Sequence, residues 1–492
     1  MTETTSGLVV PDLLSLRVAQ SPDNTVMNVN GETSLTYAEW DRRTNAMARG
    51  LLDRGVQPQQ VVALFFGGLH WIEYVLAYLA VLKAGATAMH LNDTMPAAEV
   101  ERRLRQCGAT GVIRGSAQTF PAREGRWVLT VADLEGPDDA PVDVGLTPEH
   151  ISDILYSSGT TSQPKAVRVP HGNLTFGQGP QGFRQLGDPR PLVTPMQVGT
   201  TASVTTTSIA LTLRATLVVS PPGDVERMAE LIAQYAIGSV MINPMVGARM
   251  VATRIHQRHD LRSVHTLGTA AAPMPPPIAD RLLEMFPNAR MRGAYTEISA
   301  VPGVIVTTYD PARPLVVGRP TTNTEVQVVD EHGDRVPDGE LGEIRIRFRG
   351  PRRRLLDPSL EAPGGWTRTQ DLGRVDEDGT LRLFDRVSDA VRIDGYLVST
   401  IEVEAVVHRH PAVREAAVMG VPGPDGAPEL ALAVVLDDGP DALGDLQRFL
   451  AARLEPHRTP TRYLALPALP FLPNGKVRKV ELRQRFRELA HR

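Results

Sequence analysis

Helical and extended periodicities take turns along most of this chain, and that alternation constrains the fold more than any total does. Thr36 has the side chain to cap a helix over Tyr37 to Asp53, where Trp40, Met47 and Leu51 share one stripe and Gly55 supplies a stop. Val61 to Phe66 follows as a buried strand. A helix near 71–83, a strand near 87–91, a helix from 96 to 106 and a strand at 111–114 continue the pattern. A parallel strand pair needs a crossover long enough for a helix, so this spacing predicts α/β layers on largely parallel sheets.

The pattern shifts after about residue 320. Alternating strands at 324–329, 343–348 and 380–384, separated by Asp/Gly turns, predict a smaller β-rich section. Beyond Asp389 come a strand, a helix from Ile401 to His408, strands at 415–421 and 430–436, and helices at 443–454 and 480–490, enough for an α+β domain of its own. With 492 residues, 42% of them hydrophobic, the chain can bury more than one core, since single cores stop growing near about 300 residues.

Lys+Arg total 52 against Asp+Glu 56, so charge gives no reason to expect a nucleic-acid partner or an anionic membrane surface. The longest apolar stretch, Trp71 to Leu82, contains Glu73 and falls short of the roughly 20 residues of a membrane span. A single cysteine, Cys107, excludes a disulfide frame. With no basic leader after Met1, these features predict a cytoplasmic protein.

Only four cations are lysines, Lys83, Lys165, Lys476 and Lys479. Where a generic cation sufficed, this sequence used arginine, so a surviving lysine marks a candidate place for a compact ammonium. Lys165 closes the run Tyr156-Ser157-Ser158-Gly159-Thr160-Thr161-Ser162-Gln163-Pro164-Lys165. A loop of small hydroxylated residues around Gly159 can turn successive N–H groups and hydroxyls toward one anion, which describes a phosphate cradle. It lacks the Gly-Lys-Ser/Thr step of a Walker loop.

That order of residues, with His171 and Asn173 close behind, resembles the phosphate loop of the adenylate-forming superfamily, which comprises acyl-CoA synthetases, peptide-synthetase adenylation domains and luciferases. The resemblance runs along nearly the whole chain. Leu82-Lys83-Ala84-Gly85-Ala86 is similar to the family's early signature, Ala271-Ala272-Pro273 sits at its Gly-Ala-Pro turn, and Thr296-Glu297 ends its Tyr-Gly-x-Thr-Glu motif. Thr369-Gln370-Asp371 resembles Thr-Gly-Asp, and Arg386 stands in a degenerate Gly-Arg element. Gly395-Tyr396 opens the C-terminal hairpin, and Pro473-Asn474-Gly475-Lys476 is similar to the catalytic-lysine loop.

The resemblance implies an N-terminal adenylation domain over 1–387 and a mobile C-terminal domain over 388–492 hinged at Ser388. It implies ATP and Mg²⁺ as cofactors and a small-molecule carboxylic acid as substrate. Lys476 would bridge the acid and the α-phosphate, Glu297 would hold Mg²⁺ beside Thr296, and Asp371 and Arg386 would take the ribose. Ser157, Ser158, Gly159, Thr160, Thr161 and Lys165 would handle phosphates; Ala271, Ala272, Pro273 and Tyr295 would complete the nucleotide site. Lys83 is expected to be structural and Lys479 a solvated helix charge. Gly395 and Tyr396 imply transfer to a pantetheine thiol, on coenzyme A or a separate carrier protein, since only 16 residues follow Lys476. The alternative acceptor is a nitrogen nucleophile.

Departures from the family pattern concern the substrate. Gly293 stands where the family has an aromatic residue, Asp385 replaces a glycine, and Gln197-Val198 replaces the Phe-His or Phe-Asp pair. The expected acyl pocket, Gln197, Val198, Met245, Gly268 and Gly293, carries no fixed charge, so an ammonium or second carboxylate buried there would lack a partner.

Overall fold

The computed structural model describes residues 7–121, 123–157, 164–178, 190–358, 361–437, 442–472 and 475–490. Among them, seven strands form one sheet in the order Arg354–Leu355, Ala166–Pro170, Ile151–Tyr156, Thr87–Asn92, Val61–Phe66, Gly111–Arg114, Trp127–Thr130. From Ile151–Tyr156 onward the neighbours are parallel. A longer sheet has a parallel centre, including Ser239–Ile242, Thr266–Thr269 and Arg290–Tyr295, and continues as antiparallel strands through Leu381–Arg386 and Thr367–Val375.

The helix Trp71–Lys83 is buried along nearly its whole length and belongs to the largest core cluster with Tyr37–Asp53 and the strand Val61–Phe66. A helix apolar on every side must be wrapped on every side, so this one sits inside the layers. Its terminal Lys83 is tied by hydrogen bonds to Asp41 Oδ1 (2.7 Å) and Asn45 Oδ1 (2.6 Å) on the neighbouring helix. Thr36 accepts the N–H of Glu39 and caps that helix as its sequence suggests.

After the turn Val387–Asp389 the chain builds separate cores. One gathers Val403, Val407, Leu432, Val434 and Leu446; a second gathers Met419, Val435, Leu482 and Phe486 against the last helix, Lys479–Ala490. Strands Val413–Pro422, Pro428–Leu436 and Arg462–Ala465 make the sheet between them. The mixed α/β architecture, with a large N-terminal part and a smaller C-terminal one, follows the alternation read from the sequence. No helix among the described residues is long and apolar enough to cross a membrane.

Candidate active site

Strand ends from both large sheets and a loop from the C-terminal part open onto one cleft of 1210 Å³. The strand Ile151–Tyr156 pairs antiparallel with Ala166–Pro170, and the hairpin is closed at its neck: Ser157 N–H donates to the Lys165 carbonyl, and Lys165 N–H donates to Ser157 Oγ, both at 2.9 Å. Ser157 and Lys165 line the cleft. The rest of the expected cradle, Ser158, Gly159, Thr160 and Thr161, lies outside the described residues.

Facing this neck, the strand Arg290–Tyr295 delivers Gly293, Tyr295, Thr296 and Glu297 to the cleft. Thr296 Oγ donates to the Gly303 carbonyl (2.6 Å), while Glu297 Oε2 accepts the backbone N–H and the hydroxyl of Ser299 (both 2.6 Å). One carboxylate oxygen is thereby fixed from behind. Among the described residues, no three acidic, histidine or cysteine side chains gather at metal-holding spacing. A lone carboxylate suits Mg²⁺, which keeps waters and substrate phosphate oxygens as its other ligands.

A residue that sequence reasoning passed over supports the Glu297 loop. Arg353 is buried; its Nε donates to Asn173 Oδ1 (2.9 Å) and a terminal nitrogen to the Ile298 carbonyl (3.0 Å). Asn173 in turn donates to the carbonyls of Val301 (2.8 Å) and Pro351 (2.7 Å). Burial pushes the Arg353 guanidinium down to about 10, against the pull of Asp153 and Glu297. The arginine-rich run 352–354 gave no sign of which member would turn inward.

Asp371 and Arg386 stand opposite each other on adjacent antiparallel strands. The carboxylate has both oxygens engaged: Oδ2 accepts the Tyr295 hydroxyl (2.7 Å) and Oδ1 lies 3.3 Å from Arg386 Nε. Gln370, just before it, takes a left-handed backbone conformation (φ 60°), and Thr369 Oγ accepts the Asp371 N–H (3.1 Å). Burial raises the Asp371 carboxyl, opposed by Arg386, Tyr295 and Lys476. The Tyr295 phenol is pushed well above its ordinary range by burial and by the Asp371 charge.

From the C-terminal part, the loop carrying Lys476 closes over these groups. Leu472 N–H donates to the Lys476 carbonyl and Gly475 N–H to the Leu472 carbonyl, both at 2.8 Å; Pro473 and Asn474 lie outside the described residues. Gly475 holds φ +81°, and a Cβ placed on it would stand 2.3 Å from Asn243 Nδ2. The loop therefore packs on the side chain that caps the helix Pro244–Thr253. Burial and Arg386 lower the Lys476 ammonium to about 8, while Asp371 and Glu297 pull it back up. The lysine, both carboxylates and the arginine, far apart in sequence, share one electrostatic neighbourhood.

Ala271, Ala272 and Pro273 line the cleft, Ala271 with φ +78°, a backbone state in which the family's glycine would be at ease. Gln197, Met245 and Gly293 line it as well. Two expected pocket residues do not. Val198 is wholly buried in the largest core, its carbonyl held by Asn92 Nδ2, and the open side of Gly268 is filled by the Met241 sulfur, 2.2 Å from where a Cβ would stand. Val198 stands in a turn that sends its side chain into the core, while its neighbours Gln197 and Gly199, the latter with φ +77°, line the cleft.

Lys479 also departs from expectation. Its side chain is 18% exposed, and its ammonium is paired with Glu404 Oε1 (3.1 Å) and lies within 3.3 Å of the Thr400 hydroxyl. Asp385, Asp389 and Glu404 converge on it, which the helix pattern alone could not reveal. Ser388 is exposed in the turn Val387–Asp389. Gly395 turns the short hairpin with φ +84°, and the exposed Tyr396 stacks on His457 with ring centres 4.3 Å apart.

Comparison with known proteins gives the family and the fold. Residues 14–352 match the family model of AMP-binding enzymes and residues 402–476 that of the AMP-binding enzyme C-terminal domain. A feruloyl-CoA synthase from Amycolatopsis sp. is 30% identical over 483 residues, covering 96% of this chain and 97% of that protein. Phosphinothricin tripeptide synthetase PhsC from Streptomyces viridochromogenes is 31% identical over 491 residues, covering 93% of this chain but only 43% of that longer protein. Among solved structures, the amide bond synthetase McbA from Marinactinospora thermotolerans superimposes with a TM-score of 0.80 at 25% identity, over 96% of this chain and 99% of that one.

Proposed function

The chain belongs to the AMP-binding enzymes, and from that membership we propose that it is an ATP-dependent ligase that converts a small-molecule carboxylic acid to its acyl-adenylate. The observation that carries this reading is the meeting of Lys476 with Glu297, Asp371 and Arg386 over one cleft. A carboxylate oxygen of the acid attacks the α-phosphorus of ATP, a new P–O bond forms, and the bond to the β,γ-phosphates breaks with release of pyrophosphate. Two anions must approach, so the protein's main task is to neutralise and align charge.

Lys476 is suited to lie between the acid and the α-phosphate, where its ammonium gains most as charge builds. Asp371 accepts the ribose hydroxyls, with Arg386 and the Tyr295 phenol holding its carboxylate in place. Mg²⁺, when bound, neutralises phosphate oxygens; Glu297 would hold it, its other oxygen already steadied by Ser299. The Ser157–Lys165 neck presents the phosphate loop. The acyl group then passes to a pantetheine thiol, on coenzyme A or a carrier protein, a reading the feruloyl-CoA synthase and the peptide synthetase both support. Likeness to an amide bond synthetase favours the second reading, a nitrogen acceptor for the same adenylate.

The change of acceptor requires the C-terminal part to move, and we place the boundary between residues 387 and 388, with Ser388 in the hinge turn. A cytoplasmic setting fits the single reduced cysteine. The deciding experiment screens carboxylic acids for pyrophosphate release, with and without coenzyme A or amines. Acid-dependent release supports adenylation, and the added acceptor that accelerates turnover identifies the second step.

A further inference from the structure

Two unlike sets of side chains line the cleft beyond the nucleotide groups. The helix Thr201–Thr212 turns Thr201, Ala202, Thr205, Thr206 and Ile209 toward it, positions spaced to share one helical face. The methionines Met196, Met241, Met245, Met274 and Met291 line the same space. No fixed charge belongs to either set.

The polar groups on the helix side are not all in use. Thr201 Oγ donates to the Tyr156 carbonyl. Thr206 is 95% buried by its 5% exposure, yet its hydroxyl has no hydrogen-bond partner among the described residues, not even the carbonyl one turn earlier that other threonines of this helix use. Gln197 is half-buried, and its Oε1 is buried without a partner among the described residues. A buried acceptor left unused at the margin of a largely apolar cleft is costly unless something completes it, and Thr206 lines the same cleft.

We infer that Gln197 and Thr206 read a neutral hydrogen-bonding substituent, a hydroxyl or an uncharged aryl amine, on the apolar and preferably aromatic body of the acid. This rests on the adenylating reading above and gives it a substrate class. A hydroxyl or aryl amine can donate to the carboxamide oxygen and exchange a hydrogen bond with Thr206 without bringing a charge into the cavity. Methionine sulfurs pack favourably against aromatic rings and adapt to ring position, so these side chains suit the apolar body. An alkyl ammonium would be buried here without an anion and is rejected.

The test uses matched acids: benzoate with its hydroxy- and aminobenzoates, cinnamate with its hydroxycinnamates, and phenylalanine as the charged control. Acid-dependent pyrophosphate release is measured at saturating ATP for the wild type, Gln197→Leu and Thr206→Val. At least one hydroxyl- or amino-bearing acid should exceed its unsubstituted partner in kcat/KM by 10-fold or more on the order expected when a site's polar groups find their match. Each substitution should lower that advantage by about 5- to 100-fold. The wild-type series stands even if a variant fails to fold. If unsubstituted acids are preferred, or if both variants keep the wild-type ranking, the inference is overturned and adenylation is not. If no acid releases pyrophosphate, the adenylating reading itself falls.

Discussion

Asp385 Oδ2 accepts both the backbone N–H of Thr400, at 2.5 Å, and the Thr400 hydroxyl, at 2.9 Å. The contact joins the last strand before the Val387–Asp389 turn to the first turn of the helix Thr400–Val407 beyond it, and Asp389 adds a 2.7 Å pair to Arg483. Asp385 is 1% exposed, and burial pushes its carboxyl up to about 6 against the pull of Lys479 and Thr400. A helix N-terminus is a favourable place for that charge. Where the family pattern has glycine, this chain has a tether across the turn Val387–Asp389.

Thr400→Val should loosen that tether at pH 7.5. It leaves a buried carboxylate short of a donor, a loss of about 1–3 kcal/mol, so proteolysis in the Val387–Asp389 turn should quicken by about 5- to 100-fold where cleavage follows the open population. Asp385→Asn combined with Thr400→Val should cut more slowly than Thr400→Val alone, because no charge is then stranded. Equal cutting rates in wild type and Thr400→Val would remove the tether.

Lys476→Ala should abolish adenylation with ATP binding retained. Losing one charged contact to the developing transition state costs about 3–4 kcal/mol, on the order of 100- to 1000-fold in rate, by analogy with removing an oxyanion donor. Substrate-dependent ATP–pyrophosphate exchange measures it, and near wild-type exchange would take Lys476 out of the chemistry.

The pH profile carries the same residue's signature. With the folded ammonium near 8 rather than its ordinary 10.5, the free enzyme keeps this proton below about pH 8 and loses it above, so kcat/KM should fall along an alkaline limb near 8. The stability effect has the opposite sign. Between about 8 and 10.5 the unfolded chain binds this proton and the folded one does not, so the group's contribution to stability rises with pH while activity falls. An alkaline limb unchanged in Lys476→Arg would assign it to another group.

Gly475→Ala should impair adenylation by 10-fold or more on the order of magnitude, although the lysine remains. The added Cβ meets the Asn243 amide, and φ +81° is strained for any other L-residue. ATP affinity and thermal unfolding should change far less than exchange activity. A fully active variant would mean the lysine loop does not need its seat on Asn243.

Arg353→Met should raise the Mg²⁺ concentration needed for half-maximal exchange. The substitution leaves the Ile298 carbonyl and Asn173 Oδ1 without their donor, freeing the segment that positions Glu297. Titration of exchange activity with Mg²⁺, beside a melting curve, separates a shifted metal requirement from a plain loss of stability.

Local periodicity and turn chemistry were enough to read the alternation of elements, because a capped helix such as Tyr37–Asp53 and a buried strand such as Val61–Phe66 declare themselves within a dozen residues. Glu297, Asp371, Arg386 and Lys476 were also legible, each standing in a short motif whose order along the chain matters. The direction of individual side chains was not. Val198 and Gln197 are adjacent and equally plausible on paper, yet one is in the core and the other in the cleft, since a turn at Val198 and Gly199 parts their side chains. Lys479 reads as an ordinary surface cation in its helix, and only folding brings Glu404, Asp385 and Asp389 around it.

Sequence by itself thus determined which elements form and which chemical groups are available, both being properties of neighbouring residues and their covalent order. Tertiary structure alone decided which groups meet: the Tyr295 hydroxyl on Asp371, 76 positions away, Arg353 beneath the Glu297 loop, and Gly475 against Asn243. Those contacts depend on how strands register and how the C-terminal part docks, and burial at the meeting points sets the charge states on which the chemistry rests.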